Sequence, residues 1–148
     1  MPVVLDSSVL VGLLNPADVW HARASALHDA IIKSNVSVIY FDCAIAEAIS
    51  AVARRLHEKG RGGETADLLQ RLEAQTPREA ITWILPDVPR LYVETLELIK
   101  SSSGELNFND ALIALACRER GVSMLASFDP DFDRLLWLKR VKAPTDVT

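Results

Sequence analysis

The chain has 148 residues, 49% of them hydrophobic, which fits a single domain spanning 1–148 with enough apolar surface to fill its own core. No stretch reaches the roughly 18 consecutive apolar residues of a membrane span, and no basic segment leads into a long apolar run at the start, so a soluble cytoplasmic protein is expected. The formal charge of −4 excludes a general basic surface for nucleic acid, but not phosphate contacts made through local cations or bound metal.

Val3-Val4-Leu5 is a short β-branched run that stops at Asp6 and predicts a first strand. Trp20, Ala24, Leu27 and Ile31 recur at steps of three and four and share one face of a helix. Val36 to Phe41 predicts a second strand, stopping at Asp42. Helices follow over Ala44 to His57 and Thr65 to Ala74, divided by the turn Lys59-Gly60-Arg61-Gly62-Gly63. Ile81 to Leu85 predicts a third strand and Leu91 to Lys100 a helix. Phe108 to Arg120 is the clearest helix, with Asn107 and Asp110 as a capping pair at its start and Gly121 beyond its end. Val122 to Ala126 predicts a fourth strand, Pro130 to Leu136 a short helix, and Leu138 to Val141 a fifth strand. This alternation predicts an α/β fold: a mostly parallel sheet of four to five strands, covered by helices on both faces. Ligands of such sheets bind beyond the carboxyl ends of the strands, where Asp6 and Asp129 fall.

Four acids stand out because their neighbours are apolar. Asp6 is the only charged side chain from Met1 to Ala17, and Glu47 the only one from Cys43 to Ala53. Asp110 directly precedes the apolar run Ala111 to Cys117. A carboxylate held against a core costs several kcal/mol unless it is paired, hydrogen-bonded or bound to metal. The fourth acid lies in Ser127-Phe128-Asp129-Pro130-Asp131, with Asp129 the first choice and Asp131 the second, since one of the two has the spacing to cap the following helix. Oxygen donors without nearby His or Cys select a hard cation, Mg2+ or Mn2+. Such an ion orients a phosphodiester and activates water for its hydrolysis. Ser8 shares Asp6's face if the first strand continues that far, and is placed to steer a phosphate.

Other candidates carry less. His21, His28 and His57 lack partner spacing for catalysis or zinc, and Cys43 and Cys117 fit buried thiols. Trp20, Trp83 and Trp137 have the chemistry to stack on bases, although apolar neighbours favour core packing, for Trp83 above all. Two basic stretches offer phosphate contacts: Arg54 to Arg78, diluted by acids, and the cleaner set Arg134, Lys139, Arg140 and Lys142.

The opening Val3-Val4-Leu5-Asp6-Ser7-Ser8, the helix with Ala46-Glu47, the block Leu106 to Ala114, and Ala126 to Phe132 together resemble PIN-domain nucleases, and among them the VapC-type toxins of toxin–antitoxin pairs. The resemblance implies a PIN-like three-layer α/β/α domain with a helical arm at about 43–76, used for dimer and antitoxin contacts. It also implies an endoribonuclease cutting single-stranded regions of RNA, with Asp6, Glu47, Asp110 and Asp129 as metal-binding acids and Ser8 as their accompanying hydroxyl. Ser127 stands where that family more often has Thr. Two rivals remain: a PIN-like scaffold that binds RNA or protein without cutting, which would be marked by lost acids, and an acidic-cluster phosphatase, which needs a second Asp where Ser8 stands.

Overall fold

The structure, a computed structural model, describes residues 1–147. Five strands, β1 (Val3–Leu5), β2 (Val38–Phe41), β3 (Ile81–Thr82), β4 (Met124–Ala126) and β5 (Lys139–Val141), form one sheet in the order β3-β2-β1-β4-β5. Every pairing is parallel, with Val3 opposite both Val38 and Met124. Six helices surround it: α1 (Ser7–Leu14), α2 (His21–Lys33), α3 (Asp42–Glu58), α4 (Thr65–Gln75), α5 (Val88–Ser101) and α6 (Phe108–Glu119). α1 packs on α2 and α3, while α5 packs on α6, giving the three-layer α/β/α arrangement. The central β1 is buried on both faces, which is why its sequence is uniformly apolar rather than alternating.

Three expectations are corrected. No helix is expected from periodicity between Asp6 and Trp20, yet α1 begins at Ser7; its buried Val9, Leu10, Val11, Gly12 and Leu14 cover most of its circumference, leaving no amphipathic period to detect. Ser8 therefore sits in the first turn of α1 and not on a continued strand. The strand expected over Ile81 to Leu85 ends at Thr82, because the amides of Ile84 and Leu85 donate to the buried carboxylate of Asp42 and leave the ladder.

Where α1 meets α2, Gly12 is a spacing residue. A Cβ placed there would lie 2.8 Å from the Ala24 Cβ and 3.3 Å from the Trp20 carbonyl oxygen, and the Gly12 carbonyl accepts a 2.7 Å bond from His21 Nδ1. Gly12→Ala is expected to destabilise the protein by about 1–3 kcal/mol through overpacking. Urea unfolding measures this, and an unchanged midpoint would show that the two helices separate freely.

Candidate active site

The chain leaves β1 toward β2 and β3 on one side and returns to β4 and β5 on the other, so β1 and β4 are neighbours whose connections diverge. This is the switch point of a parallel sheet, where a crevice opens beyond the carboxyl ends of the strands. The Asp6 amide donates to the Ala126 carbonyl (2.9 Å), pinning the end of β1 to the end of β4. Asp6 then precedes α1 and Ser127 follows β4, facing one another across this crevice.

Ser127, fully buried, is the hub. Its Oγ donates to Asp6 Oδ2 at 2.7 Å and accepts from the Asp129 amide at 3.0 Å. Ser8 Oγ donates to the same Asp6 Oδ2 (3.1 Å) and accepts from the Phe128 amide (3.1 Å). A serine is too common in sequence to signal this role, and the hints at Ser127 are its place two residues before Asp129 and the hydroxyl it shares with the Thr more usual there in the resembled family. On α3, the Glu47 side chain accepts from Asn109 Nδ2 (3.4 Å), a second contact that sequence reading missed. Asp110 opens α6 in a capping box with Asn107, as expected: its amide donates to Asn107 Oδ1 (2.8 Å) and its Oδ2 accepts from the Asn107 amide (3.4 Å).

Charge ties these acids into one cluster. Burial pushes the Asp110 carboxyl from 3.8 up to about 7, reinforced by the charges of Asp6, Asp129 and Glu47. Asp6 is raised as well, by its own burial first and by Glu47 last, against the lowering effect of its serine hydrogen bonds. Asp129 takes the capping role that sequence reading left open between it and Asp131: its Oδ1 accepts from the Asp131 amide (2.9 Å) ahead of the short 3-10 turn Pro130–Arg134, in place of the helix expected to Leu136. The Asp129 charge also acts on Asp110, raising it.

The donor set suits a divalent cation in one decisive respect. Asp6 is 3% exposed, and its Oδ1 is, among the described residues, the only buried side-chain oxygen or nitrogen without a hydrogen-bond partner. An orphaned carboxylate oxygen whose group feels the charge of Glu47 and acts in turn on Asp110 fits a hard cation. Among the described residues, no three of His, Cys, Asp and Glu enclose an ion by themselves. That spacing is compatible with Mg2+, which keeps several waters and takes only one or two carboxylates directly. The cysteines do not contribute, since burial pushes both thiols up to about 12.

The raised Asp110 carboxyl gives stability a pH dependence. Its folded-state value exceeds its unfolded one, so the folded protein holds the extra proton between about pH 4 and about pH 7, and stability of the metal-free protein is expected to fall as pH rises through that window. Melting temperatures in chelator at pH 5 and pH 8 test this, with Asp110→Asn expected to flatten the difference. An equally steep fall in that variant would assign the effect elsewhere.

The expected basic patches are mostly neutralised. Arg140 is paired with Asp133 at 2.8 Å and Arg134 with Glu105, acids that are not between these residues in sequence but reach them in space, while Lys139 Nζ donates to the Asp146 backbone carbonyl and keeps its charge. Trp83 is 52% exposed and so is not the core residue expected. Among the described residues, no helix is long and apolar enough to cross a membrane.

Three solved structures share this architecture. VapC20 of Mycobacterium tuberculosis, a Sarcin-Ricin loop cleaving toxin, is 19% identical with a TM-score of 0.65, covering 88% of this chain and 92% of its own. VapBC2 of Rickettsia felis, solved bound to a DNA fragment from their promoter, is 16% identical (TM-score 0.68; 95% and 98% covered). FitAcB of Neisseria gonorrhoeae is 20% identical (TM-score 0.66; 97% and 98% covered). No curated protein matches the sequence. The sequence itself matches the PIN domain over residues 3–137, nearly the whole chain, and the protein therefore belongs to the PIN domain family.

Proposed function

We propose that the protein is a Mg2+- or Mn2+-dependent endoribonuclease of the VapC toxin type, acting in the cytoplasm on RNA, with Asp6, Glu47, Asp110 and Asp129 as its metal-binding acids. The observation that carries this reading is the orphaned Oδ1 of Asp6, buried beside Asp110, whose carboxyl is pushed up to about 7 by burial first and by the charges of Asp6, Asp129 and Glu47 after it. Without a cation such a cluster repels itself, so its retention needs one. A bound divalent cation supplies charge that polarises the scissile phosphate and favours ionisation of a nucleophilic water.

The chain's own residues do the rest. Ser127 and Ser8 hold Asp6 Oδ2 in place, leaving Oδ1 as the oxygen free to bind. Asn109 steadies Glu47, and the capping box fixes Asp110 at the head of α6.

A toxin reading adds a cognate antitoxin and a homodimer. It is supported by the family, by the toxin among the structural neighbours, and by apolar surface where α3 and α4 meet β3, with Ile49, Leu69 and Trp83 at a cleft of about 280 Å³. Incubation of the purified protein with structured RNA in Mn2+ is expected to yield discrete fragments, and excess chelator to stop cutting. Equal cleavage in chelator would refute the metal site, and a wild type that cuts no RNA would refute the nuclease reading.

A further inference from the structure

Beside the acidic crevice lies an aromatic stack that the metal chemistry does not use. The Trp20 indole stacks on the Phe128 ring with centroids 5.3 Å apart and planes inclined by 21°. The Arg23 guanidinium lies against both rings, 4.5 Å from the Trp20 centroid and 5.0 Å from that of Phe128. Phe128 falls between Ser127 and Asp129 in the chain, and its amide is tied to Ser8 Oγ. Trp20 lines the same cleft of about 230 Å³ as Ser8, Glu47 and Arg55. The stack is therefore built into the rim of the site.

Two features separate it from ordinary packing. Trp20 keeps 39% of its surface exposed, a large share for an indole already partnered by another ring. Arg23 is exposed and, among the described residues, forms no ion pair, although neighbouring Arg55 is neutralised by Asp18. A flat π-face beside an uncompensated cation, adjoining acids suited to a metal, matches the chemistry of one nucleotide unit: base on the ring, phosphate on the guanidinium.

We infer that Trp20, backed by Phe128, stacks an unpaired base of the RNA next to the cleaved phosphate, and that Arg23 holds a neighbouring phosphate. The inference rests on the nuclease reading and adds to it the residues that hold one base and one phosphate of the strand beside the metal-binding acids. Stacking is indifferent to base identity in kind and favours the larger purine face in degree, so this platform positions the strand more than it reads sequence.

The test is fluorescence anisotropy with two labelled probes of equal length, single-stranded oligoadenylate RNA and its abasic ribose-phosphate counterpart, with Ca2+ in place of Mg2+. Trp20→Ala is expected to weaken oligoadenylate binding by roughly five- to a hundredfold and leave the abasic probe unchanged, while Trp20→Phe retains most of the affinity. Trp20→Leu, which keeps apolar bulk against Phe128 without a full π-face, is expected to behave like Trp20→Ala and serves if the alanine variant does not fold. Arg23→Ala is expected to weaken both probes and to reduce the log–log salt slope by about 0.7.

Equal loss on both probes for the Trp20 variants would make the stack merely structural and overturn the inference, as would wild-type affinity in Trp20→Ala. An unchanged salt slope in Arg23→Ala overturns the phosphate contact. A wild type that binds neither probe removes the platform, while the nuclease reading is judged separately by cutting of structured RNA in Mn2+.

Discussion

Replacing Asp6 with Asn is expected to reduce RNA cleavage roughly a thousandfold while leaving the fold intact. The magnitude follows from the several kcal/mol of transition-state stabilisation that a metal ion supplies and that is lost with its anchoring oxygen. The fold survives because the Asn carbonyl can still accept from Ser127 and Ser8, as Asp6 Oδ2 does. Removing the charge also ends a repulsion that raises Asp110. Stability in chelator should therefore stay within about 1 kcal/mol of wild type, since the unpaired amide and the relieved repulsion oppose one another. Paired measurements of cleavage rate in Mn2+ and urea unfolding in chelator separate the outcomes. Cleavage within tenfold of wild type, or destabilisation by several kcal/mol, would make Asp6 a structural acid.

The opposite pattern is expected at Asp42. This carboxylate is as buried as Asp6, at 4% exposed, but has no orphaned oxygen: Oδ1 accepts from the amides of Cys43 (3.0 Å) and Ile84 (2.9 Å), and Oδ2 from that of Leu85 (3.0 Å). It joins the start of α3 to the segment leaving β3. Asp42→Ala strands the Ile84 and Leu85 amides, at a cost of about 1–3 kcal/mol for each buried donor. The protein is expected to lose about 2–5 kcal/mol, with faster hydrogen exchange at those two amides, whereas Asp42→Asn should lose less because one acceptor oxygen remains. Cleavage per folded molecule should be unchanged in Asp42→Asn. A stable Asp42→Ala protein with protected amides would show that other groups close this corner.

Asp6 and Asp42 also mark the limit of what the sequence discloses. Both end a short apolar strand and both are isolated acids, so isolation alone does not separate a metal ligand from a carboxylate occupied by backbone amides. The difference lies in hydrogen bonds from residues 42 and 43 positions further along the chain. The strand–helix alternation and the α/β/α class were legible because α2, α3 and α5 carry periodic apolar faces, α6 is announced by its capping pair Asn107 and Asp110, and β1 is a pure apolar run. α1 was not, since it is buried around most of its circumference. Asp110 was placed correctly at the head of α6 by its local capping signal with Asn107. Ser127 and Asn109 were missed as site residues because Ser and Asn carry no signature until the fold brings them to a carboxylate. The basic set at Arg134 to Lys142 misled for a related reason, its acidic partners Asp133 and Glu105 lying outside the window in which it looked unopposed.

The central claim is that Asp6 Oδ1 is left free for a divalent cation shared with the neighbouring acids. A crystal structure of the wild-type protein grown with Mn2+, using the anomalous signal of the metal, tests it most directly. The account requires an anomalous peak in direct contact with Asp6 Oδ1, with Glu47, Asp110 or Asp129 reaching the same ion directly or through one water. A structure without metal in the crevice, in which Asp6 Oδ1 instead accepts from a protein donor, would contradict it.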